Sequence, residues 1–237
     1  MVKLKMENKI LVLGDGLLGR ELVKQNQWDY ISRKKNKMDL FSLVSLIKEN
    51  SHDVIVNCIA NTDTYSKDKH SMVKVNYEFV VKLVEETNRL GKKLIQISTD
   101  YLYTHSEENV TEEGVPVHCN TWYGYTKLLA DGYIESFSDN YLISRMGHKC
   151  KPFPHKDAWI NQIGNFDYVQ KQAKRLTKLI KNDITGIVNV GGKKTSMYDL
   201  AKQTKKDVNK DDCGFLVPKN VTMNLNKLNN ILRKVNE

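Results

Sequence analysis

The stretch that decides the fold is Lys9–Gly19, K-I-L-V-L-G-D-G-L-L-G. The apolar run over residues 9–13 predicts a strand, and residues 20–27 have the pattern of a helix. Between them, the G-x-G-x-x-G spacing is typical of a turn that binds a dinucleotide, because glycines let the backbone approach a pyrophosphate at the helix N-terminus. A glycine-rich turn that only packs a helix on a sheet is the alternative. The residues expected to bind the cofactor here are Gly14, Gly16, Leu17, Leu18 and Gly19.

The end of the second predicted strand indicates which dinucleotide is bound. Residues 28–32 read as this strand, and Ser32 and Arg33 are followed by two lysines. An acidic residue at this place binds the ribose 2′-hydroxyl of NAD, whereas a cation accommodates the 2′-phosphate of NADP. We therefore expect NADP(H) to be preferred and NAD(H) to be allowed. A solvated basic loop is the alternative.

Strands and helices alternate along the first two thirds of the chain. Further strands are predicted at 53–59, 94–98, 141–144 and 186–190, and further helices from about 39 and at 71–90, 123–137, 168–181, 196–206 and 225–232. Residues 53–59 form a nearly continuous apolar run, which is typical of a strand covered on both faces. The prediction is an α/β fold, a Rossmann-type doubly wound parallel sheet with right-handed crossovers.

Two parts of the chain are expected. Residues 1–145 are predicted to form the dinucleotide-binding domain. Residues 146–237 are predicted to complete the sheet and to form a small, reduced C-terminal substrate-binding region, with 146–165 irregular.

Composition and charge narrow the class of protein. Of 237 residues, 40% are hydrophobic, which is enough for a core. The formal net charge of +9 favours polyanionic partners, either nucleic acid or phosphates on a cofactor or substrate. The lysines are scattered and form no basic block, which favours a charge spread over the surface, and we expect no nucleic-acid partner.

The cysteines and the N-terminus favour a cytoplasmic protein. Cys58, Cys119, Cys150 and Cys213 have no metal-ligand spacing, so we expect reduced thiols and no metal site. Residues 1–9 are too charged for a signal peptide. No apolar run approaches the ~20 residues that span a bilayer, so no membrane partner is expected.

A strand end and a helix start supply a candidate catalytic site. Thr99 follows the strand at 94–98, and Tyr123 and Lys127 lie one turn apart at the start of the next helix, on one face. We expect Lys127 to lower the pKa of Tyr123 from about 10 and to hold the ribose of the cofactor, so both residues are also expected to bind the cofactor. Thr99 would polarise a substrate carbonyl, and Tyr123 would protonate it as a hydride arrives. The alternative assigns the three residues to a cap, a helix-start aromatic and a solvated charge.

The Tyr-x-x-x-Lys pattern alone is weak evidence. It occurs at Tyr30/Lys34, Tyr65/Lys69, Tyr123/Lys127 and Tyr198/Lys202. The third pair is favoured because it follows a strand that ends in polar residues and itself begins a helix.

These motifs resemble the extended short-chain dehydrogenase/reductases and, within them, the dTDP-4-dehydrorhamnose reductase family. The similar segments are 14–19, 56–63, 75–76, 98–103, 123–127, Arg145, 191–192 and 218–224. The resemblance implies NADP-dependent reduction of the 4-keto group of a nucleotide-diphospho-deoxyhexose by Thr99, Tyr123 and Lys127. Related 4,6-dehydratases have a catalytic glutamate where this chain has Tyr101, which favours reduction over dehydration.

The resemblance also implies further contacts. It places Asp39 and Leu40 near the adenine and Ala60, Asn61 and Thr62 near the nicotinamide half, and it has Thr99, Asp100, Tyr101 and His148 line the sugar pocket. The chain departs from the family at Asn61, where an aromatic is usual, and at His148, where a tryptophan is frequent. It is also short between Arg145 and Asn165.

Two functional hypotheses remain. The first is the reductase, with a nucleotide-diphosphate sugar as its substrate; a homodimer is one state that the sequence allows. The second is a non-catalytic relative that binds NADP and regulates or scaffolds a partner enzyme. The short substrate region motivates the second hypothesis, and the intact Thr99, Tyr123 and Lys127 count against it.

Overall fold

A parallel sheet lies between two layers of helices in the computed structural model, which describes residues 8–117 and 121–235. The strands are β1 (Ile10–Leu13), β2 (Asp29–Ile31), β3 (Val54–Asn57), β4 (Lys93–Ser98), β5 (Tyr141–Met146), β6 (His148–Lys149), β7 (Asp157–Trp159), β8 (Ile163–Gly164), β9 (Asp167–Tyr168), β10 (Gly186–Val190), β11 (Thr195–Ser196), β12 (Asn209–Asp211) and β13 (Asn220–Val221). The α-helices are α1 (Leu17–Asn26), α2 (Arg33–Asn36), α3 (Ser42–Glu49), α4 (Lys69–Val73), α5 (Phe79–Arg89), α6 (Trp122–Phe137), α7 (Val169–Lys181), α8 (Met197–Lys202) and α9 (Asn226–Lys234). A π-helical turn, Lys74–Glu78, joins α4 to α5, and a 3-10 turn covers Asp100–Tyr103.

The main sheet confirms the predicted fold class. Its strand order is β2-β1-β3-β4-β5-β10, and every neighbouring pair is parallel. All residues of β1 and β3 are buried. Continuous apolar strands are required here because helices cover both faces of the sheet.

Each face of the sheet has its own hydrophobic core. On one face, Leu18 and Leu22 of α1 pack with Ala173 and Leu176 of α7. On the other, side chains of α3, α5 and α6 pack together, among them Leu83. Burial of one such aliphatic side chain contributes roughly 1.5–3 kcal/mol.

The strand order creates a ligand crevice at one edge of the sheet. The chain leaves β1 toward β2 on one side and returns to β3 on the other. The connections therefore diverge beyond the carboxyl ends of β1 and β3, and ligands of doubly wound sheets bind at such a switch point.

The C-terminal part contributes to the sheet and also folds beyond it. β10 pairs with β5, while β8 pairs with β11 and β13 in a separate small sheet. A third core joins Phe153, Phe166, Tyr168 and Met197 there. The predicted domain boundary at residue 145 stays a prediction.

Three expectations about local structure are wrong. Residues 146–165 are not wholly irregular, since they contain β6, β7 and β8, whose partners β9, β12 and β13 lie at or beyond Asp167 in the chain. The predicted helix at 71–90 is interrupted by the π-helical turn. The helix predicted to end at Lys206 ends at Lys202, where Gln203 donates to the carbonyl three residues back and tightens the last turn.

The expectations about thiols, membrane-spanning helices and metal sites can be compared with the structure only within the residues that it describes. Cys58, Cys150 and Cys213 are free thiols, whereas Cys119 and residues 1–7 lie outside the described residues. In the described ranges, no helix is long and apolar enough to cross a bilayer. The same ranges contain no group of three His, Cys, Asp or Glu side chains arranged to hold a metal ion.

Candidate active site

A cavity of about 390 Å³ opens at the carboxyl edge of the sheet. Its walls are the turn after β1, the loop after β3, the end of β4, the start of α6 and the segment after β5. The predicted site residues that line it are Gly16, Leu17, Leu18, Ala60, Thr62, Thr99, Asp100, Tyr101, Tyr123, Lys127 and His148. The predicted residues that do not line it are Gly14, Gly19, Ser32, Arg33, Asp39, Leu40 and Asn61. The cavity therefore joins the dinucleotide turn to the candidate catalytic residues.

The turn between β1 and α1 fits a pyrophosphate. Gly14 has φ +98° and donates its N–H to the Ile31 carbonyl at 2.8 Å. A Cβ atom on Gly19 would lie 2.1 Å from the Gly14 carbonyl oxygen, so the helix meets the turn without room for a side chain. At Gly16, the N-cap of α1, a Cβ would meet nothing within 4 Å. The first turn of α1 thus presents its backbone and its positive dipole end to an open side.

The end of β2 carries cations with different local roles. Ser32 is buried and accepts a hydrogen bond from the Lys35 N–H, so it caps α2. Lys35 lies over the Tyr30 ring, with its ammonium nitrogen 3.9 Å from the centroid, and donates to the Tyr30 carbonyl. Arg33 is exposed at the start of α2. Arg33 is therefore the better placed of the two predicted residues to meet a 2′-phosphate.

Asp39 caps the helix that the sequence predicted to begin there, and Leu40 has a core role that the sequence did not predict. The Asp39 carboxylate accepts the N–H groups of Phe41 and Ser42 at the start of α3. The Leu40 side chain is buried in the core that includes Leu43. Their proposed contact with an adenine ring stays a prediction.

Asn76 fixes the loop after β3. It lies in the π-helical turn, and its side chain accepts from the Asn61 N–H at 2.8 Å and donates to the Asn61 carbonyl at 3.1 Å. It also donates to the Thr126 hydroxyl in α6. The amide thus bridges the cavity loop and the helix that carries Tyr123.

Thr99 and Tyr123 form the polar centre of the cavity. Both side chains line the cavity, and the Thr99 side chain is close enough to the Tyr123 phenol to lower its pKa. The Thr99 hydroxyl donates to Asp100 Oδ1 at 3.3 Å. Thr99 begins the 3-10 turn and accepts from the Tyr101 N–H, which fixes its hydroxyl. Two hydroxyls side by side can both bind one carbonyl oxygen.

The pKa of Tyr123 moves in the direction opposite to the prediction. Burial raises it to about 12, and the nearby Thr99 side chain offsets only part of this. Lys127 is not among the groups that shift the Tyr123 pKa, and its ammonium group donates to the Ile97 carbonyl at 2.6 Å. Burial lowers the pKa of Lys127 to about 8, with Asp131 acting in the other direction.

Two residues missed by the sequence analysis hold Tyr101. The Tyr101 hydroxyl lies 3.1 Å from the Tyr65 hydroxyl and accepts from Gln162 at 3.3 Å. Tyr65 follows β3 and belongs to one of the Tyr-x-x-x-Lys pairs that the sequence did not favour, and Gln162 precedes β8 and lies in no motif. Their separation from Tyr101 along the chain hides this contact.

His148 lines the cavity as a neutral side chain. Burial, together with the charge of the neighbouring Lys149, lowers its pKa to about 4. Asp100, next to Thr99, is 2% exposed, and burial raises its pKa while Lys149 lowers it. Lys149 is therefore a third residue of this wall that the sequence analysis did not single out.

Of the four Tyr-x-x-x-Lys pairs, the one that the sequence favoured lies in the cavity. Tyr123 and Lys127 both line the cavity, and none of the other three pairs contributes either member to its walls.

A buried charged network supports the floor of the site. Arg145 Nε donates to Asp131 Oδ2 at 3.0 Å, and Ser98 donates to the same oxygen at 2.9 Å. The guanidinium also donates to the Tyr103 hydroxyl, which donates to Asn189. The network joins α6 to the ends of β4, β5 and β10.

Comparisons with known proteins agree with the predicted family and fold. The model of the RmlD substrate binding domain family matches residues 8–148. The spore coat polysaccharide biosynthesis protein SpsK of Bacillus subtilis is 26% identical over 207 residues, which cover 84% of this chain and 69% of SpsK. The methionine adenosyltransferase 2 subunit beta of Pongo abelii is 32% identical over 139 residues, which cover 51% of this chain and 40% of the subunit. The crystal structure of dTDP-4-dehydrorhamnose reductase from Bacillus anthracis, in complex with NADP, has a TM-score of 0.80 at 21% identity and covers 94% of this chain and 92% of that chain. At that identity, the structural likeness shows the fold alone.

Proposed function

Because this chain belongs to the RmlD substrate binding domain family, we propose that it is a reductase that uses NADP(H) to reduce the 4-keto group of a nucleotide-diphospho-deoxyhexose. The family match confirms the resemblance seen in the sequence. The proposal includes a cytoplasmic location, and it leaves a homodimer open to a sedimentation measurement.

The observation that carries the proposal is that Thr99 and Tyr123 line the same cavity, which also reaches the turn after β1. A carbonyl oxygen placed against both hydroxyls would accept one hydrogen bond from each. Such donors stabilise the negative charge that develops on oxygen during reduction.

The pKa values of the site suit a proton donor. With a pKa near 12, Tyr123 keeps its proton at neutral pH and can give it to the developing alkoxide. Lys127, with a pKa near 8, is mostly protonated at pH 7 and places a positive charge in the same cavity. When bound, NADPH supplies the hydride.

One feature supports a dinucleotide cofactor, and a second supports NADP as the preferred one. The glycine turn and the open N-terminus of α1 suit a pyrophosphate. Arg33 offers an exposed cation after β2, which suits a 2′-phosphate, while NAD remains allowed. The NADP complex of the Bacillus anthracis reductase supports the same choice.

The decisive experiment compares Tyr123→Phe with the native chain. NADPH and NADH oxidation are measured against UDP-, dTDP- and GDP-linked 4-keto sugars. We expect NADPH oxidation with at least one of them, and a loss of turnover of roughly 100-fold or more in Tyr123→Phe, because the variant lacks the proton donor. NADPH binding, measured by fluorescence titration, should change little.

Tyr125→Phe is the matched control, since Tyr125 lies on the same helix, is exposed and does not line the cavity. Its turnover should equal that of the native chain. Full turnover in Tyr123→Phe would refute the assigned role.

The second candidate function is a non-catalytic NADP-binding relative. It is favoured by the 32% identity to a protein named as a subunit of methionine adenosyltransferase, although the alignment spans only 40% of that subunit. Tight NADPH binding without oxidation by any of the 4-keto sugar nucleotides would support this function and exclude the first.

A further inference from the structure

Lys149 lies where two cavities meet. It is the last residue of β6, directly beyond the end of β5, and it lines the cavity that holds Thr99 and Tyr123. It also lines a second cavity of about 510 Å³, and Leu17 and His148 are shared by both. A group bound at Lys149 would therefore contact both spaces.

The Lys149 ammonium group has no counter-ion in contact. Among residues 8–117 and 121–235 it makes no hydrogen bond or ion pair, and the Phe166 ring centroid is 6.0 Å away. The acidic group that acts on it most strongly is Asp100, whose charge partly offsets the lowering of the Lys149 pKa by burial. Lys127, the other lysine of the catalytic cavity, is already bonded to a backbone carbonyl.

An ammonium group in a partly closed cavity is costly unless an anion pairs with it. Such groups occur preferentially at binding sites, because the ligand provides the missing partner. The geometry at Lys149 therefore suits an anionic oxygen, either of a phosphate or of a carboxylate.

The second cavity favours a phosphate over a lone carboxylate. Phe153, Trp159 and Met197 form apolar walls beyond Lys149. Flat apolar walls next to a cation suit a planar ring that carries a phosphate group.

We propose that Lys149 is a specificity-determining residue that binds an anionic group of the substrate, a phosphate of its nucleotide half, at the junction of the two cavities. This inference rests on the proposed function, because it assumes a nucleotide-linked substrate.

The test measures binding without turnover. UDP, dTDP, UDP-glucose, UDP-glucuronic acid and NADPH are titrated by calorimetry into the native chain and into Lys149→Met, Lys149→Arg and Lys174→Met. We expect Lys149→Met to weaken UDP and dTDP roughly tenfold to a hundredfold, as for the loss of one charge-assisted hydrogen bond. Lys149→Arg should retain most of the affinity. NADPH should bind to all four proteins alike.

Lys174→Met is the control for the loss of one positive charge, because Lys174 is exposed on α7 and lines neither cavity. It should leave every titration unchanged. If Lys149→Met folds poorly, judged by its melting temperature, Lys149→Arg and a second neutral variant, Lys149→Gln, decide the outcome.

The possible results separate the sources of the anion. Weaker binding of UDP-glucuronic acid alone would keep the anion subsite but assign it to a sugar carboxylate. Unchanged nucleotide binding, or a loss confined to NADPH, would overturn the proposal. If the native chain fails to oxidise NADPH but binds UDP more tightly than Lys149→Met does, the proposed reaction is refuted and the proposed binding site at Lys149 is supported.

Discussion

At the scale of single residues, burial dominates the electrostatics of the site. It raises the pKa of Tyr123 and lowers that of Lys127, so both shifts favour the neutral form. The sequence suggested that the lysine would lower the pKa of the tyrosine. That direction is wrong because the lysine donates to Ile97 and because desolvation of the phenol is the larger effect.

The depressed pKa of Lys127 predicts a pH-dependent stability. The folded-state value of about 8 lies below the usual 10.5, so the cost of burying the charge is complete below pH 8 and disappears as the pH rises toward 10.5. Lys127→Met carries no charge and avoids this cost. The free energy of unfolding of Lys127→Met minus that of the native chain should therefore be most positive at pH 7 and smaller at pH 10. Urea unfolding at both pH values measures this difference.

Lys174→Met is again the control, because Lys174 is exposed in the native chain. The difference in the free energy of unfolding between this variant and the native chain should be the same at both pH values. A difference for Lys127→Met that does not change between pH 7 and pH 10 would show that the lysine is not desolvated.

At the scale of elements, close backbone contacts set the positions of the site residues. α1 begins at Leu17, three residues before the predicted start, and meets the turn through Gly19. The π-helical turn before α5 lets Asn76 face both Asn61 and Thr126. Both contacts join elements that carry cavity residues.

Gly19→Ala should destabilise the fold. Its Cβ would lie 2.1 Å from the Gly14 carbonyl oxygen, and neither backbone can move without disturbing the sheet. We expect a loss of about 1–3 kcal/mol or more in the free energy of unfolding, measured in urea, with weaker NADPH binding.

Gly132→Ala provides the opposite control. Gly132 is an exposed position inside α6, and a Cβ there meets nothing within 4 Å. This variant should gain about 0.5–1 kcal/mol because alanine is the better helix former. Equal stability of the two alanine variants would contradict the close contact at Gly19.

At the scale of the whole molecule, a buried ionic network links distant parts of the chain. Arg145 and Asp131 are at most 1% exposed, and the network continues through Tyr103 to Asn189. The Asn189 N–H in turn donates to Glu112 at 2.8 Å. Strand β10 and the loop before α6 are thereby linked to the elements that surround Thr99.

Removal of one charged partner of the Arg145–Asp131 pair should therefore lower the free energy of unfolding strongly. Arg145→Met leaves the Asp131 carboxylate buried without its cation, and we expect a loss of about 3–5 kcal/mol in urea unfolding. Adding Asp131→Asn to this variant should restore part of the stability, since the uncompensated charge is gone. Arg233→Met, at an exposed arginine of α9, should change stability by less than about 0.5 kcal/mol. A double variant no more stable than Arg145→Met would contradict the ionic explanation.

The sequence alone determined the parts that depend on neighbouring residues. The strand, glycine turn and helix from Ile10 to Asn26, the apolar run of β3, and the polar end of β4 at Thr99 are all readable because hydrophobic period, turn chemistry and helix start are local properties. Sequence context favoured Tyr123/Lys127 among the four Tyr-x-x-x-Lys pairs, and this pair lines the cavity. Long-range packing alone brings Tyr65 and Gln162 to Tyr101 and sets Lys149 between two cavities. It also decided the pKa directions of Tyr123 and Lys127. These properties depend on contacts between segments far apart in the chain and on how completely water is excluded, and neither is encoded in a residue's immediate neighbours.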